Sequence, residues 1–269
     1  MVTFLFWNVR NKDLGGLAAR VVEEHRVDVI LLAECLSPAG FLESLNQSLS
    51  AKFNYHVINP ERRIEIYSRF PSKNVGLLGD IGGLSAFRLL PFDGEELLVI
   101  GAHLLSKKHL TPEDQTLLCT EIARTVSEFE SVVGHRRTVL VGDLNMNPFE
   151  TGVVGAQGLH AASSREIAKG GSRVVARKEF RFFYNPMWSH FGDRGPSPPG
   201  TYFYGSSAPT NLFWNIFDQV LVRPELLGGF ADENVKILTQ AGEIALLRSN
   251  GRPNGTIASD HLPIVFSIE

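Results

Sequence analysis

Two hydrophobic periods alternate along the chain, and this alternation restricts the possible folds more than any other feature. Residues 2–9 and 27–33 read as buried strands, the second as a continuous apolar run. Between them Leu14, Leu17, Ala18, Val21 and Val22 recur at helical spacing over residues 14–25. Switching of this kind, repeated along a chain, makes an α/β protein. Residues 41–49 form a second helix candidate, and short strands are expected near 55–59, 64–67, 84–89 and 97–103. Thr111, Pro112, Glu113 and Asp114 are the cap, first-turn proline and acidic start of a helix reaching Val133. A strand over 137–141 runs into Gly142, and strands return at 217–222, 235–238 and 262–268. Residues 192–209, rich in Gly, Pro and Ser, predict a long surface loop.

No repeat, linker or low-complexity tract divides the 269 residues, so residues 1–269 are expected to form one domain. With 43% hydrophobic and 20% charged residues the chain is neither disordered nor collagen-like, and no uninterrupted apolar run is long enough for a transmembrane segment. A net charge of -3 lacks the basic excess of a nucleic-acid coat protein or a polybasic membrane binder. Cys35 and Cys119 sit among apolar neighbours, which argues against a disulfide framework and for a reducing compartment. With no basic and apolar leader, a cytoplasmic location is expected.

The near-neutral total hides an uneven distribution. Residues 165–181 hold six bases (Arg165, Lys169, Arg173, Arg177, Lys178 and Arg181) and two acids. The run reads either as a solvated helical face or as a rim that meets phosphates; Arg62, Arg63 and Arg69 form a second candidate rim. Aromatic residues follow, from Phe180 to Trp214, suited to core packing or to stacking on unpaired bases.

Polar residues recur where predicted buried strands end: Asn8, Glu34, Asp143 with Asn145, and Asp260 with His261. Singly, each has an ordinary explanation, such as a turn cap for Asn8, a cap for Glu34 or an Asx-turn for Asp260. Together they place carboxylates, amides and an imidazole at one kind of location, where a carboxylate must be paired, hydrogen-bonded or bound to a cation. In Gly142-Asp143-Leu144-Asn145 the glycine suits a tight exit from the strand, with Asp143 and Asn145 presented on one side of an extended chain. Ser259-Asp260-His261 sets an oxygen ligand beside an imidazole, and Asp218 is a candidate carboxylate partner for that ring.

These motifs, with Ser68-Arg69-Phe70-Pro71 and Ala102-His103-Leu104 between them, resemble in order and spacing those of the endonuclease/exonuclease/phosphatase (deoxyribonuclease I-like) superfamily. The resemblance implies a four-layer α/β sandwich, with two mixed β-sheets packed face to face and helices on both outer sides. It implies a Mg²⁺-dependent phosphoesterase, with Mn²⁺ able to substitute. Glu34 would be the main metal ligand, with Asn8 and Asp260 at the ion or its water shell. Asp143 would orient or deprotonate the attacking water, Asn145 would hold a phosphoryl oxygen, and His103 would bind phosphate. His261, polarised by Asp218, would stabilise the pentacovalent transition state or act as base. Arg69, Arg177, Lys178, Arg181 and Asn185 would contact substrate.

The expected activity is hydrolysis of a phosphodiester in DNA or RNA. Arg10 stands where apurinic endonucleases carry an acid, and His103 where they carry a tyrosine, which disfavours abasic-site cleavage. The alternatives are a phosphatase or phospholipase-like hydrolase of a small phosphoester, and a binding module that keeps the fold without turnover. No Gly-x-Ser-x-Gly elbow is present, so serine-nucleophile chemistry has no support.

Overall fold

The computed structural model describes residues 1–57, 63–108, 110–193, 195 and 197–269. The candidate rim residue Arg62 lies outside these. The first strand is β1 (Val2–Asn8), all seven residues buried, followed by α1 (Gly15–His25), β2 (Val29–Ala33) and α2 (Pro38–Ser48). Gly15 lets the two helices touch: a Cβ there would lie 2.6 Å from the Phe41 carbonyl oxygen. Five more strands follow: β3 (Asn54–His56), β4 (Ile64–Ser68), β5 (Val75–Ile81), β6 (Leu84–Leu89) and β7 (Leu97–His103). The helix α3 (Pro112–Val133) starts at the Thr111 cap and ends at Val133 as expected; the structure adds a full capping box between Thr111 and Asp114 and a left-handed Gly134 at its end.

Beyond it lie β8 (Thr138–Asp143), α4 (Thr151–Val154), β9 (Ala161–Ala162), α5 (Arg165–Lys169), β10 (Ser172–Val175), β11 (Lys178–Arg181) and β12 (Phe183–Tyr184). The chain closes with β13 (Tyr202–Phe203), β14 (Trp214–Asn215), β15 (Asp218–Val222), β16 (Lys236–Ile237), the small hairpin of β17 (Gln240–Ala241) and β18 (Ile244–Ala245), and β19 (Ile264–Ile268).

Two mixed sheets result, ordered β16-β19-β1-β2-β4-β3 and β5-β6-β7-β8-β15-β12-β9. They pack face to face around Phe4, Phe6, Leu31, Val99, Val141 and Val220, all fully buried. Helices α1 and α2 add Ala18, Val22, Phe41 and Leu45 to the same core from outside the six-stranded sheet. On the far face of the seven-stranded sheet, Ile100 and Leu140 meet Cys119, Ile122 and Val126 of α3. The four layers are those expected. Each fully buried large apolar side chain contributes about 1.5–3 kcal/mol relative to exposure.

Three local expectations are corrected. Gly142 lies within β8 rather than at its exit: a Cβ there would come within 1.9 Å of the Ala102 carbonyl oxygen, so the glycine serves the close approach of β7. The basic run contains only the five-residue helix α5, and its second half is the β10–β11 hairpin, turned by left-handed Ala176 and Arg177. The expected 192–209 loop contains the short strand β13, which pairs with β14 beyond the loop's end. Strand β5, rich in glycine, carries no strong strand signal, yet it forms the edge of the larger sheet.

Candidate active site

The register of the strands assembles the site. Asp143 ends β8 and pairs with Asp218 at the start of β15 on one side and with His103 at the end of β7 on the other. Asn8 ends β1 in the facing sheet, opposite Ala33, the residue before Glu34. Glu34 itself is left-handed (φ 52°), as are Arg10 and Asn11 (φ 49° and 56°), and the Asn11 amide donates to the Glu34 carbonyl at 2.7 Å. Backbone turns of this sparsely populated kind persist only where the surroundings hold them.

Asn8 joins the two sheets. Its Nδ2 donates to Glu34 Oε1 and to Asp143 Oδ2, each at 3.1 Å, while its Oδ1 accepts from the Arg10 amide at 3.1 Å. His103 Nε2 lies 3.6 Å from Glu34 Oε1. His261 Nδ1 is 2.9 Å from Asp218 Oδ2, and its Nε2 is 3.9 Å from Asp143 Oδ2. Burial opposes the charged form of this imidazole, but Asp218 and Asp143 outweigh it and push the pKa up to about 10. Burial likewise pushes the Asp143 carboxyl above the usual carboxylate range, with the charge of His261 pulling it back.

Asn145 departs from the expected extended geometry. It is left-handed (φ 51°), its amide donates to Asp143 Oδ1 at 2.9 Å, and its Nδ2 donates to the Leu104 carbonyl at 2.9 Å. One Nδ2 proton remains free of that bond. Asp260 stays outside the hydrogen-bonded cluster: its Oδ2 lies 3.3 Å from Arg10 Nη1.

Asp143, Asp218 and His261 bring one possible ligand atom each within 4.8 Å of one another. Nδ1 of His261 is already committed to Asp218, so these three form a charge-coupled imidazole rather than a cation cage. The better cation donors are the carboxylates of Glu34 and Asp143; Asn8, expected as a ligand, turns its Nδ2 toward them and gives its Oδ1 to the Arg10 amide, so it positions the two carboxylates instead. Carboxylate oxygens of Glu34 and Asp143 converge on a single amide nitrogen, and hard oxygen donors in so sparse a set fit an ion that keeps much of its water, such as Mg²⁺.

The expected substrate contacts are not brought to this place. Arg69 follows the end of β4 that pairs with Val29, at the far end of the sheet from Glu34, and it is ion-paired with Asp28. Arg177, Lys178 and Arg181 lie on the β10–β11 hairpin, which runs into β12 beside the C-terminal end of β15. The Phe182 carbonyl there accepts from Arg223, whose own amide bonds Thr138 at the start of β8. Asp143 lies five residues along β8 from Thr138, roughly 16 Å away. Arg165 is structural, donating to the Leu227 and Phe230 carbonyls and to Asp232. Asn185 is fully buried, with Oδ1 accepting from the Met187 amide and Nδ2 donating to Gln219, so it faces no solvent. Arg63 does reach the site end, with its side chain against Gly83, whose carbonyl accepts from the His103 amide.

Several supporting residues escape a linear reading. Trp7, fully buried, donates Nε1 to the His261 carbonyl at 2.9 Å, and Thr201 Oγ1 accepts from the Asp218 amide. The Tyr202 ring lies 4.6 Å from that of His261. Gln219 donates to the Met146 and Ile216 carbonyls, tying the loop after β8 to β15. The sequence carries one hint of this: Pro199-Gly200 precedes Thr201, and a Cβ at Gly200 would lie 2.6 Å from the Asn215 carbonyl oxygen.

No curated protein sequence matches the chain. Solved structures resemble it in fold across its full length. They include an endonuclease/exonuclease/phosphatase family protein from Leptotrichia buccalis (14% identity, all of both chains covered, TM-score 0.55). D. rerio TDP2 complexed with single-strand DNA product has 16% identity, 100% and 98% coverage and a TM-score of 0.54. The 3' phosphatase NExo from Neisseria, bound to a product DNA hairpin, has 16% identity, full coverage and a TM-score of 0.56. The profile of the Endonuclease/Exonuclease/phosphatase family matches residues 5–261, a span that takes in every polar residue of the cluster from Asn8 to His261. The chain therefore belongs to the endonuclease/exonuclease/phosphatase family.

Proposed function

We propose that this protein is a divalent-cation-dependent phosphodiester hydrolase that cleaves DNA or RNA by attack of water on phosphorus. The observation that carries this reading is His261, buried and hydrogen-bonded through Nδ1 to Asp218, with its Nε2 turned toward Asp143 and the Asn8–Glu34 pair on the same strand ends. An imidazole held charged by two carboxylates donates to an anion rather than removing a proton, so His261 stabilises the charge that develops on phosphorus. Asp143, whose carboxyl is raised by burial, is suited to orient the water and accept its proton. Asn145 offers its remaining amide proton, and His103 its ring, to non-bridging oxygens.

A divalent cation would be held by Glu34, with Asp260 contributing directly or through water and Asn8 positioning the Glu34 carboxylate, and would supply charge neutralisation at the phosphoryl oxygens. Exposed aromatic side chains beside the site favour a nucleic acid over a small ester. The β13–β14 hairpin, bridged to His261 through Tyr202, leads to Tyr204 and Phe213, each 51% exposed and available to unpaired bases.

The test is turnover with Mg²⁺ or Mn²⁺ on single- and double-stranded DNA, RNA, bis-p-nitrophenyl phosphate and p-nitrophenyl phosphate. Cleavage of a nucleic acid and of the diester, abolished by chelator and by Glu34→Ala or Asp143→Ala, is expected. Activity on the monoester alone would replace this reading by a phosphatase.

A further inference from the structure

A second concave surface lies away from the catalytic cluster. A groove of about 800 Å³ opens between the second half of α3, the turn after it and β11. It sits at the end of the larger sheet opposite Asp143, because Arg223 on its floor follows the C-terminal end of β15. That floor is firm. Arg223 is nearly fully buried, donates Nε to Glu130 at 2.7 Å and Nη1 to the Phe182 carbonyl at 2.9 Å, and lies 3.8 Å above the Phe183 ring.

The walls differ from the floor in having charge to spare. Arg136 from the turn after α3, and Lys178 and Arg181 from β11, are exposed, and none has a carboxylate partner among the described residues. The lining as a whole holds five Lys and Arg side chains against three Glu, on a chain whose net charge is -3. Phe180, with Lys178 Nζ 5.5 Å from its ring, adds an aromatic surface between the cations. Volume, unpaired cations on facing walls and an aromatic ring together match a ligand with phosphate and a planar base. Ligand sites of this type typically enclose about 300–1,000 Å³. Unpaired cations near phosphate oxygens gain charge-assisted hydrogen bonds that a balanced ion-pair surface does not offer.

We propose that this groove binds nucleotide phosphate, either as a free nucleotide or as a unit of a nucleic-acid strand. The site is separate from the catalytic cluster, and its occupancy does not require turnover. The test compares the full-length protein with the variant Arg136→Gln, Lys178→Gln, Arg181→Gln. These three side chains are exposed, so the substitutions leave the fold intact; an unchanged melting temperature checks this.

Binding is measured in chelator by calorimetry with AMP and by anisotropy with a labelled twelve-nucleotide dT strand over a salt series. Inorganic phosphate serves as a competitor. Expected is a loss of about tenfold or more in affinity for at least one probe. For the strand, the salt dependence should also fall by about one unit of slope for each phosphate contact removed. Weakened AMP binding identifies a free-nucleotide site, and weakened strand binding alone identifies a strand site. Unchanged affinity for both probes overturns the proposal. Turnover of bis-p-nitrophenyl phosphate with Mg²⁺ is read in parallel and is expected to be the same in both proteins. Its absence from both would remove the catalytic reading and leave the groove to be judged on binding, whereas its selective loss in the variant would overturn the separation of the two sites.

Discussion

His261 and Asp218 form a buried imidazole–carboxylate pair, Nδ1 to Oδ2 at 2.9 Å, in which each side chain is almost withdrawn from solvent. The carboxylate fixes which ring nitrogen faces inward and leaves Nε2 directed to Asp143. Replacing it by an amide keeps the shape and removes the charge. Asp218→Asn is therefore expected to lower kcat by about 10²–10⁴-fold, the scale of losing a positioned acid–base group or its orienting partner. Unchanged secondary structure by circular dichroism would show that the loss is chemical. A variant within threefold of wild type would exclude His261 from the reaction.

The same pair makes stability depend on pH. The folded pKa of His261, about 10, lies above the ordinary value of 6.5. The folded protein therefore holds a proton that the unfolded chain releases between those values. The stabilisation is fully present below about pH 6.5 and is lost as the pH rises toward 10. Asp143, also raised, slopes stability the same way at lower pH. In metal-free buffer the melting temperature should fall from pH 7 to 10, and His261→Gln should flatten that decline. A wild-type profile level across this range would contradict the assignment.

Arg223 and Glu130 make a separate, structural demand. Both side chains are 5% exposed, and Arg223 also holds the Phe182 carbonyl. Removing one partner strands a buried charge, so Arg223→Ala should cost about 3–5 kcal/mol in denaturant unfolding. The paired replacement Arg223→Met with Glu130→Leu should recover most of it. Equal losses in the single and double variants would show that packing, rather than the orphaned charge, dominates.

Both thiols should be inert in the native protein. Burial pushes Cys119 up to about 12 and Cys35 up to about 11, the latter opposed by a hydrogen bond with Tyr67. Thiolate is therefore scarce at pH 8, and Ellman's reagent should report thiols only after guanidinium unfolding. Rapid native labelling of either would contradict its surroundings.

Asn8, Glu34, Asp143 and His261 were legible as a set because a polar residue terminating an apolar strand is costly unless it has a partner, and four such costs recurred. Helix α3 was legible for a local reason, its cap and first turn lying within four consecutive residues. Lys178 and Arg181 were misplaced because closeness in sequence to Asp143 says nothing about which end of a strand the chain returns to, and β12 enters the sheet at the far end. The β10–β11 turn was hidden because Ala176 and Arg177 adopt left-handed conformations that the sequence signals with neither Asn nor Gly. Asn185 and Gln219 could not be assigned by type, since a buried amide pair and a substrate contact use the same atoms. Trp7 acts on His261 across 254 residues, a relationship that only the packed sheets create, and Thr201 reaches Asp218 across 17 residues of irregular chain that carry no regular period.

Asp218, Asp143 and His103 occupy one transverse row across β15, β8 and β7. Their separation is thus set by interstrand hydrogen bonds at about 4.8 Å per strand, with no loop to adjust it. The centre of the larger sheet is also the region whose opening requires the whole core to come apart. The working geometry consequently has no private mode of failure: on heating, it should persist unchanged until cooperative melting and then vanish with it.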